Sequence, residues 1–78
     1  KNPGKERARL ERKLEKLEGL LAENEASCTD ISQQLALPEV SSDYEKLMEL
    51  QSQLSALEAA QEELLSQIIE TEEAKSIL

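Results

Sequence analysis

The sequence predicts an all-α protein, a two-helix antiparallel coiled coil with helices at about residues 5–36 and 43–75. Two Gly, two Pro and a single aromatic residue, Tyr44, stand against 33% charged residues. This composition is typical of long helices and coiled coils, and not of sandwiches, barrels or enzyme folds. Leucine-rich seven-residue repeats run up to one break at Pro38 and away from it. The chain therefore predicts a single helical-hairpin domain over residues 1–78, which we interpret as a piece of a larger protein.

The first helix is predicted to begin between residues 3 and 6 and to end near Ala36. An uninterrupted seven-residue period favours a left-handed supercoil. Its heptad a positions are Leu14, Leu21, Cys28 and Leu35, and its d positions are Leu10, Leu17, Asn24 and Ile31. Residues 1–4 are expected to be a linker remnant, although Asn2 followed by Pro3 also resembles a helix cap.

Residues 37–42 are predicted to form the turn. Pro38 lacks a backbone N–H and moves Leu37 out of the α region. Ser42, with Glu45 three residues later, predicts a capping box that restarts the helix. An apolar cluster is expected to close this end of the hairpin, with a binding tip as the alternative: Leu37, Val40, Tyr44 and Met48.

The second helix continues the repeat without a stutter. Its a positions are Leu47, Leu54, Gln61, Ile68 and Lys75, and its d positions are Leu50, Leu57, Leu64, Thr71 and Leu78. The seam becomes polar beyond Thr71, so fraying is expected there. At ~1.5 Å per residue each helix is expected to be about 48 Å long.

Two registers satisfy the heptads in an antiparallel hairpin. The amide-paired register places Asn24 opposite Gln61 and Leu17 opposite Ile68, whereas the slipped register places Asn24 opposite Leu54. Burying an amide against Leu is less favourable than pairing two amides, so we prefer the amide-paired register. A homodimer in which two chains open at Pro38 stays an alternative to the intramolecular hairpin.

Charge is distributed unevenly along the chain, whose net charge is -8. Residues 1–16 hold seven of the nine Lys and Arg and three of the seventeen acids, a balance of +4, which leaves -12 for residues 17–78. Such asymmetry is typical of an interaction end.

The basic end offers the candidate contacts with nucleic acid. Lys5, Arg9, Arg12 and Lys16 step by four, three and four residues, which predicts a stripe at c and f positions. Lys13 joins this set, and with Arg7 it flanks the seam side. The stripe has no aromatic companion, which favours sequence-independent phosphate contact over base stacking. In the competing interpretation it is a solvated face balanced by Glu70, Glu72 and Glu73 of the second helix.

Three apolar residues, Leu20, Leu65 and Ile69, fall outside the main seam. Seam-edge packing is the simpler interpretation. The functional alternative makes Leu65 and Ile69 candidates for partner docking, either to the parent protein or to a second copy.

Catalytic chemistry is not predicted for this segment. The chain has no His and a single Cys, so it offers no catalytic base for a nucleophile and no Cys pair for zinc. It also lacks a Gly-rich phosphate loop. We therefore predict no catalytic, cofactor or metal residues, and we interpret Cys28 as a small seam residue. No apolar run reaches the length of a membrane span, so no membrane partner is expected.

The turn and its flanks resemble a known family. Residues 37–47, Leu-Pro-Glu-Val-Ser-Ser-Asp-Tyr-Glu-Lys-Leu, followed by Met48-Glu49-Leu50-Gln51, are similar to the C-terminal coiled-coil domain of ABC-F (Uup-like) ATP-binding cassette proteins. Residues 12–18 resemble the first helix of that domain. The likeness covers about residues 8–66, but the aromatic residue common late in the family's second helix is missing, since residues 66–70 read Ser-Gln-Ile-Ile-Glu.

The resemblance implies a role for the domain. The parent protein would be a cytoplasmic ATPase whose cassettes use ATP and Mg and lack membrane-spanning segments. This segment would be an accessory domain that contacts the parent ATPase domains and binds ribosomal RNA on the ribosome or DNA. The rival hypothesis is a structural or protein–protein interaction coiled coil without nucleic-acid binding.

Overall fold

The computed structural model describes residues 2–78 as a rod that doubles back once. Helix α1 spans Pro3–Leu35, the one-turn helix α2 spans Pro38–Ser41, and helix α3 spans Tyr44–Ser76. The rod measures 60 × 14 × 13 Å, which agrees with the ~50 Å length of a 33-residue helix plus the turn. The predicted all-α helical hairpin is confirmed, with α2 as an additional element.

Helix α1 begins at Pro3 because Asn2 caps it. The backbone of Asn2 is extended, and its Oδ1 accepts hydrogen bonds from the N–H groups of Gly4 (3.1 Å) and Lys5 (3.2 Å). Pro3 occupies the first helical position, where a missing N–H leaves no helical hydrogen bond unmade. Pro3 and Gly4 thus belong to the helix and not to a linker, while Lys1 lies outside the described residues.

The turn contains a helix where the sequence predicted none. Leu37 is extended, as expected before Pro38, and its carbonyl oxygen accepts hydrogen bonds from the N–H groups of Val40 and Ser41, both at 3.1 Å. Proline at a first helical position is pre-organised for a helical φ and needs no N–H partner. A single helical turn therefore reverses the chain between α1 and α3.

The predicted Ser42–Glu45 capping box is wrong by one residue. Asp43 is the N-cap of α3, and its Oδ1 accepts from the N–H of Lys46 at 3.1 Å. Ser42 ends α2 in a right-handed helical conformation, and its hydroxyl donates to the Glu39 carbonyl at 3.3 Å. An N-cap requires an extended backbone, which Asp43 has and Ser42 does not.

The core lies along the seam and is best developed near the turn. Ile31, Val40 and Leu50 are buried there. Three half-buried side chains pack against them: Leu35, Leu54 and Leu57. The fraying expected beyond Thr71 is not what the structure shows, since Thr71 is buried and α3 continues to Ser76.

The neighbours across the hairpin favour the amide-paired register. Glu11 forms an ion pair with Lys75 at 3.2 Å, and Leu20 lines one recess with Leu64. The slipped register would place Glu11 opposite Gln67, two helical turns from Lys75. The amides themselves do not pair, however, because Asn24 donates to the backbone oxygen of Leu57 instead of to Gln61.

The apolar cluster expected at the tip forms only in part. Val40 is buried, whereas Leu37 and Met48 are more than 40% exposed and Tyr44 is 75% exposed. Val40 continues the a positions of α3 by one heptad, so it reaches the seam, but the other three side chains point outward. Within residues 2–78, neither long helix carries a stretch apolar enough to cross a bilayer.

Candidate nucleic-acid interface

The basic stripe lies on the outer side of the first half of α1. Lys5, Arg9, Arg12 and Lys16 are all exposed, and so is Lys13. Eleven residues of α-helix separate the ends of the stripe by about 16 Å. One DNA strand places a phosphate every 3.4 Å along the duplex axis, so a stripe of this length faces about five phosphates.

Arg9 is the member of the stripe that is held by a carboxylate. Its Nε donates to Glu6 Oε1 at 3.0 Å, and its Nη2 pairs with Glu6 Oε2. Hydrogen bonding to Glu6 and the attraction of its charge raise the pKa of Arg9 above the ordinary arginine value. The spacing of three residues along the helix brings the two side chains together. Arg9 is thereby positioned, but part of its charge is neutralised.

The remaining members of the stripe keep their charge available. In the described chain, no carboxylate lies within ion-pair distance of Lys5, Arg12, Lys13 or Lys16. The sequence suggested that acids of α3 would balance the stripe: Glu70, Glu72 and Glu73. In the ion pair that crosses the hairpin there, the helices exchange roles: α3 supplies the cation, Lys75, and α1 supplies the carboxylate, Glu11. Side chains at c and f positions point away from the neighbouring helix, which keeps the stripe apart from those acids.

The open end of the hairpin gathers three of the five predicted contacts into one recess. Lys5, Arg9 and Arg12 line it together with Glu6, Asn2 and Leu78. Lys13 and Lys16 lie outside this recess and extend the positive surface along α1. Sequence reasoning missed Glu6, although its spacing to Arg9 carries the signal of a helical ion pair.

Comparison with known families decides what kind of domain this is. The family model described as ABC transporter C-terminal domain matches residues 5–73. The chain belongs to this family. Neither a curated protein nor a solved structure matches it. The resemblance to C-terminal domains of ATP-binding cassette proteins is thus confirmed at the level of the family, and the hairpin is the accessory domain that the family name describes.

The other predicted site of this ABC transporter C-terminal domain is its exposed apolar surface. Leu65 is 43% exposed and Ile69 is 56% exposed, one turn apart on α3. Leu20 is 40% exposed, but it sits at the edge of the seam beside Leu64. The structure thus separates Leu20 from the pair that was predicted to dock a partner.

The seam of the domain carries its buried polar groups. Cys28 is half-buried at an a position and donates its thiol to Asn24 Oδ1 at 3.6 Å, as expected of a small seam residue. The described residues contain no group of three or more His, Cys, Asp or Glu arranged to hold a metal ion.

Proposed function

We propose that this domain contributes nucleic-acid binding to an ABC-F type ATPase. The observation that carries the proposal is an exposed set of cations at one end of a chain whose net charge is -8. Four of the five residues have no ion-pair partner in the described structure: Lys5, Arg12, Lys13 and Lys16. Unpaired cations on a rigid helix supply the sequence-independent, salt-sensitive part of nucleic-acid affinity.

The direction of α1 supports anion binding at the same end. The N-terminus of a helix carries a partial positive charge, and basic residues placed there add to it. For Lys5, which lies in the first turn, this arrangement is unfavourable in the isolated helix by about 0.3–1 kcal/mol. A bound phosphate backbone would reverse that penalty, whereas a merely solvated face would not.

The assignment to the ABC-F subtype rests on the resemblance of residues 37–51 and on the membership in the ABC transporter C-terminal domain family. In such a parent the cassettes bind ATP and Mg and hydrolyse ATP in the cytoplasm. The hairpin has no catalytic part in this proposal. It brings DNA or ribosomal RNA to the ATPase domains.

The proposal is tested by titrating labelled duplex DNA and structured RNA with the hairpin across a salt series. Four to five phosphate contacts predict that the affinity for duplex falls roughly 150- to 500-fold between 50 and 200 mM salt. Arg12→Glu should reduce affinity about tenfold and should lower the salt slope by about 1–2. Circular dichroism checks that the variant stays helical.

The matched control is Lys46→Glu, which makes the same change of charge at the far end of the rod. Lys46 is exposed and lies near the turn. Its reversal should leave affinity within about twofold, because interactions between exposed charges are screened beyond about 10 Å at 0.1 M salt. Equal losses for both variants, or no binding to either nucleic acid at low salt, would reject the stripe as an interface.

The second candidate function is a protein–protein interaction coiled coil. The balance of -12 over residues 17–78 and the exposed pair Leu65 and Ile69 favour it. In that case Arg12→Glu changes little beyond stability, and the partner-docking surface carries the function. The two candidates use opposite sides of the hairpin and therefore do not exclude each other.

A further inference from the structure

The seam of the hairpin is not centred midway between the a and d positions of the heptads. In α1 the d residues are buried: Leu10, Leu17, Asn24 and Ile31. The a residues are only half-buried: Leu14, Leu21, Cys28 and Leu35. In α3 the two buried residues, Leu50 and Thr71, are d residues as well. Two further d residues of α3, Leu57 and Leu64, are half-buried, as its a residues are. The seam is therefore rotated towards the d positions most clearly in α1, whose a positions stay partly open.

This rotation exposes one side of the hairpin more than the other. Every e position of the two long helices is exposed, whereas four of the ten g positions are half-buried, Gln34 and Ala74 among them. In an antiparallel pair the e positions of both helices lie on the same side. We call this side the e face, and it consists of the a, e and b positions of α1 and α3. Its floor is formed by apolar seam residues that neither helix fully covers, such as Leu21 and Ile68.

Apart from Arg7, an exposed a residue at the open end of α1, the e face carries only acidic charge at its exposed positions. Between residues 8 and 76 no b or e position of the two long helices holds Lys or Arg. Its acids are Glu11, Glu15, Glu18, Glu25, Glu58, Glu62 and Glu72. Glu11 is engaged with Lys75, an a residue. The basic stripe occupies c and f positions, on the other side of the hairpin.

The e face also holds the large exposed apolar side chains of α3 between Tyr44 and Ile69. Leu65 and Ile69 form one pair, and Tyr44 and Met48 form a second pair at the tip. About 26 Å of helix separates Met48 from Leu65. Apolar pairs one helical turn apart, on a face with a half-open apolar floor, match the way in which a third helix packs into a helical pair.

We propose that the e face docks a basic amphipathic helix from a partner protein. Apolar residues of that helix cover Leu65, Ile69 and the half-buried a residues, and its Lys and Arg side chains meet the glutamates on either side. Charge complementarity selects this occupant. Nucleic acid and anionic lipid are repelled by the acids, and a second copy of the chain would bring two acidic e faces together.

The test uses the 78-residue chain and a synthetic 18-residue peptide with Leu on one helical face and Lys on the other. Binding is measured by fluorescence anisotropy. Two matched peptides replace every Lys by Glu or every Leu by Ser. The Lys/Leu peptide should bind, the Glu peptide should not bind detectably, and the Ser peptide should bind at least tenfold more weakly.

Two variants locate the binding on the hairpin. Leu65→Ser/Ile69→Ser should lower the affinity for the Lys/Leu peptide at least tenfold, whereas Leu20→Ser should change that affinity less than twofold. Leu20 is the matched control because it is as exposed as Leu65 but occupies a g position. If the double variant loses helicity, the charge variant Glu18→Lys/Glu58→Lys replaces it and should weaken binding to the same extent.

Three results would overturn the proposal. The first is equal loss for Leu20→Ser and the double variant, and the second is retained affinity of the Glu peptide. The third is a dimer of the chain alone in sedimentation that Leu65→Ser/Ile69→Ser dissolves, which would assign the e face to a second copy. The proposal is independent of nucleic-acid binding, because the e face and the basic stripe are different surfaces. The Leu65→Ser/Ile69→Ser variant should therefore bind duplex DNA with unchanged affinity.

Discussion

The side-chain amide of Asn24 donates a hydrogen bond across the hairpin to the backbone oxygen of Leu57, at 2.8 Å. A carbonyl oxygen has two lone pairs, so one inside a helix can accept a second donor. Asn24 is 8% exposed, and its own side-chain oxygen accepts from the Cys28 thiol. Both the nitrogen and the oxygen of the buried amide are thus hydrogen-bonded, and the bond to Leu57 links α1 to α3 at one fixed position along the seam.

Asn24→Ala should lower the free energy of unfolding by about 1–2 kcal/mol, since it removes the hydrogen bond and leaves space in the seam. Asn24→Leu should leave that free energy unchanged or raise it by about 1 kcal/mol, since a polar seam residue fixes register at the expense of stability. Urea unfolding followed by circular dichroism measures both. An Asn24→Ala protein as stable as the parent chain would show that the hydrogen bond to Leu57 contributes nothing.

The same substitutions test specificity as well as stability. With Leu at position 24 the seam no longer penalises the slipped register or pairing between chains. Sedimentation of Asn24→Leu should therefore reveal dimers or a mixture of species at concentrations where the parent chain is a monomer. A purely monomeric Asn24→Leu protein with a single sharp unfolding transition would assign the register to the apolar residues alone.

The cap of α3 gives a second prediction. Asp43→Ala should destabilise the hairpin by about 1 kcal/mol, because the N–H of Lys46 loses its acceptor. Ser42→Ala should change stability by less than about 0.5 kcal/mol, because its exposed hydroxyl only supplements backbone bonds in α2. Thermal unfolding of the two variants ranks them. If Ser42→Ala were the less stable variant, Ser42 and not Asp43 would be the N-cap, as the predicted Ser42–Glu45 capping box requires.

The hairpin itself could be predicted from the sequence because the composition, the heptad repeat and the break at Pro38 all indicate the same structure. The heptads fix which sides of the helices meet, and Pro38 fixes where the chain reverses. The structure added α2, since a four-residue helix is too short for periodicity to show. The choice of Asp43 over Ser42 as the cap depends on which residue is extended, and that follows from how α2 ends and not from residue type.

The candidate site could be predicted in position but not in its electrostatics. Helical spacing alone placed Arg12 and Lys16 on one exposed side of α1. The balancing acids were expected from α3, yet within residues 2–78 the carboxylate that pairs with the stripe is Glu6 of the same helix. Which outward side chains meet across a hairpin depends on the rotation of each helix about its axis. That rotation, which buries the d residues of α1 more than its a residues, is not encoded in the heptad letters.

Gly19 offers a third prediction that involves no contact. It lies at an outward f position of α1, and a Cβ added there meets nothing within 4 Å. Gly19→Ala should therefore raise the free energy of unfolding by about 1 kcal/mol, because Ala loses less conformational freedom in a helix. Urea unfolding checks the gain. A loss of stability would mean that this part of α1 is not a regular helix.

The ion pair between Glu6 and Arg9 leads to the last prediction. Glu6 competes with phosphate for the Arg9 guanidinium, since both its carboxylate oxygens contact that side chain. Glu6→Gln should release Arg9 and raise the affinity for duplex DNA about three- to tenfold at low salt, with a salt slope steeper by about 1. The measurement is the same titration of labelled duplex.

Glu15→Gln is the matched control for that prediction, because it makes the same change of net charge on the opposite side of α1. A general effect of charge would raise affinity equally for both variants, whereas release of Arg9 raises it for Glu6→Gln alone. Equal gains would reduce Arg9 to part of a diffuse positive end. A gain restricted to Glu6→Gln would show that Arg9 contacts phosphate directly and that Glu6 of the same helix competes for it.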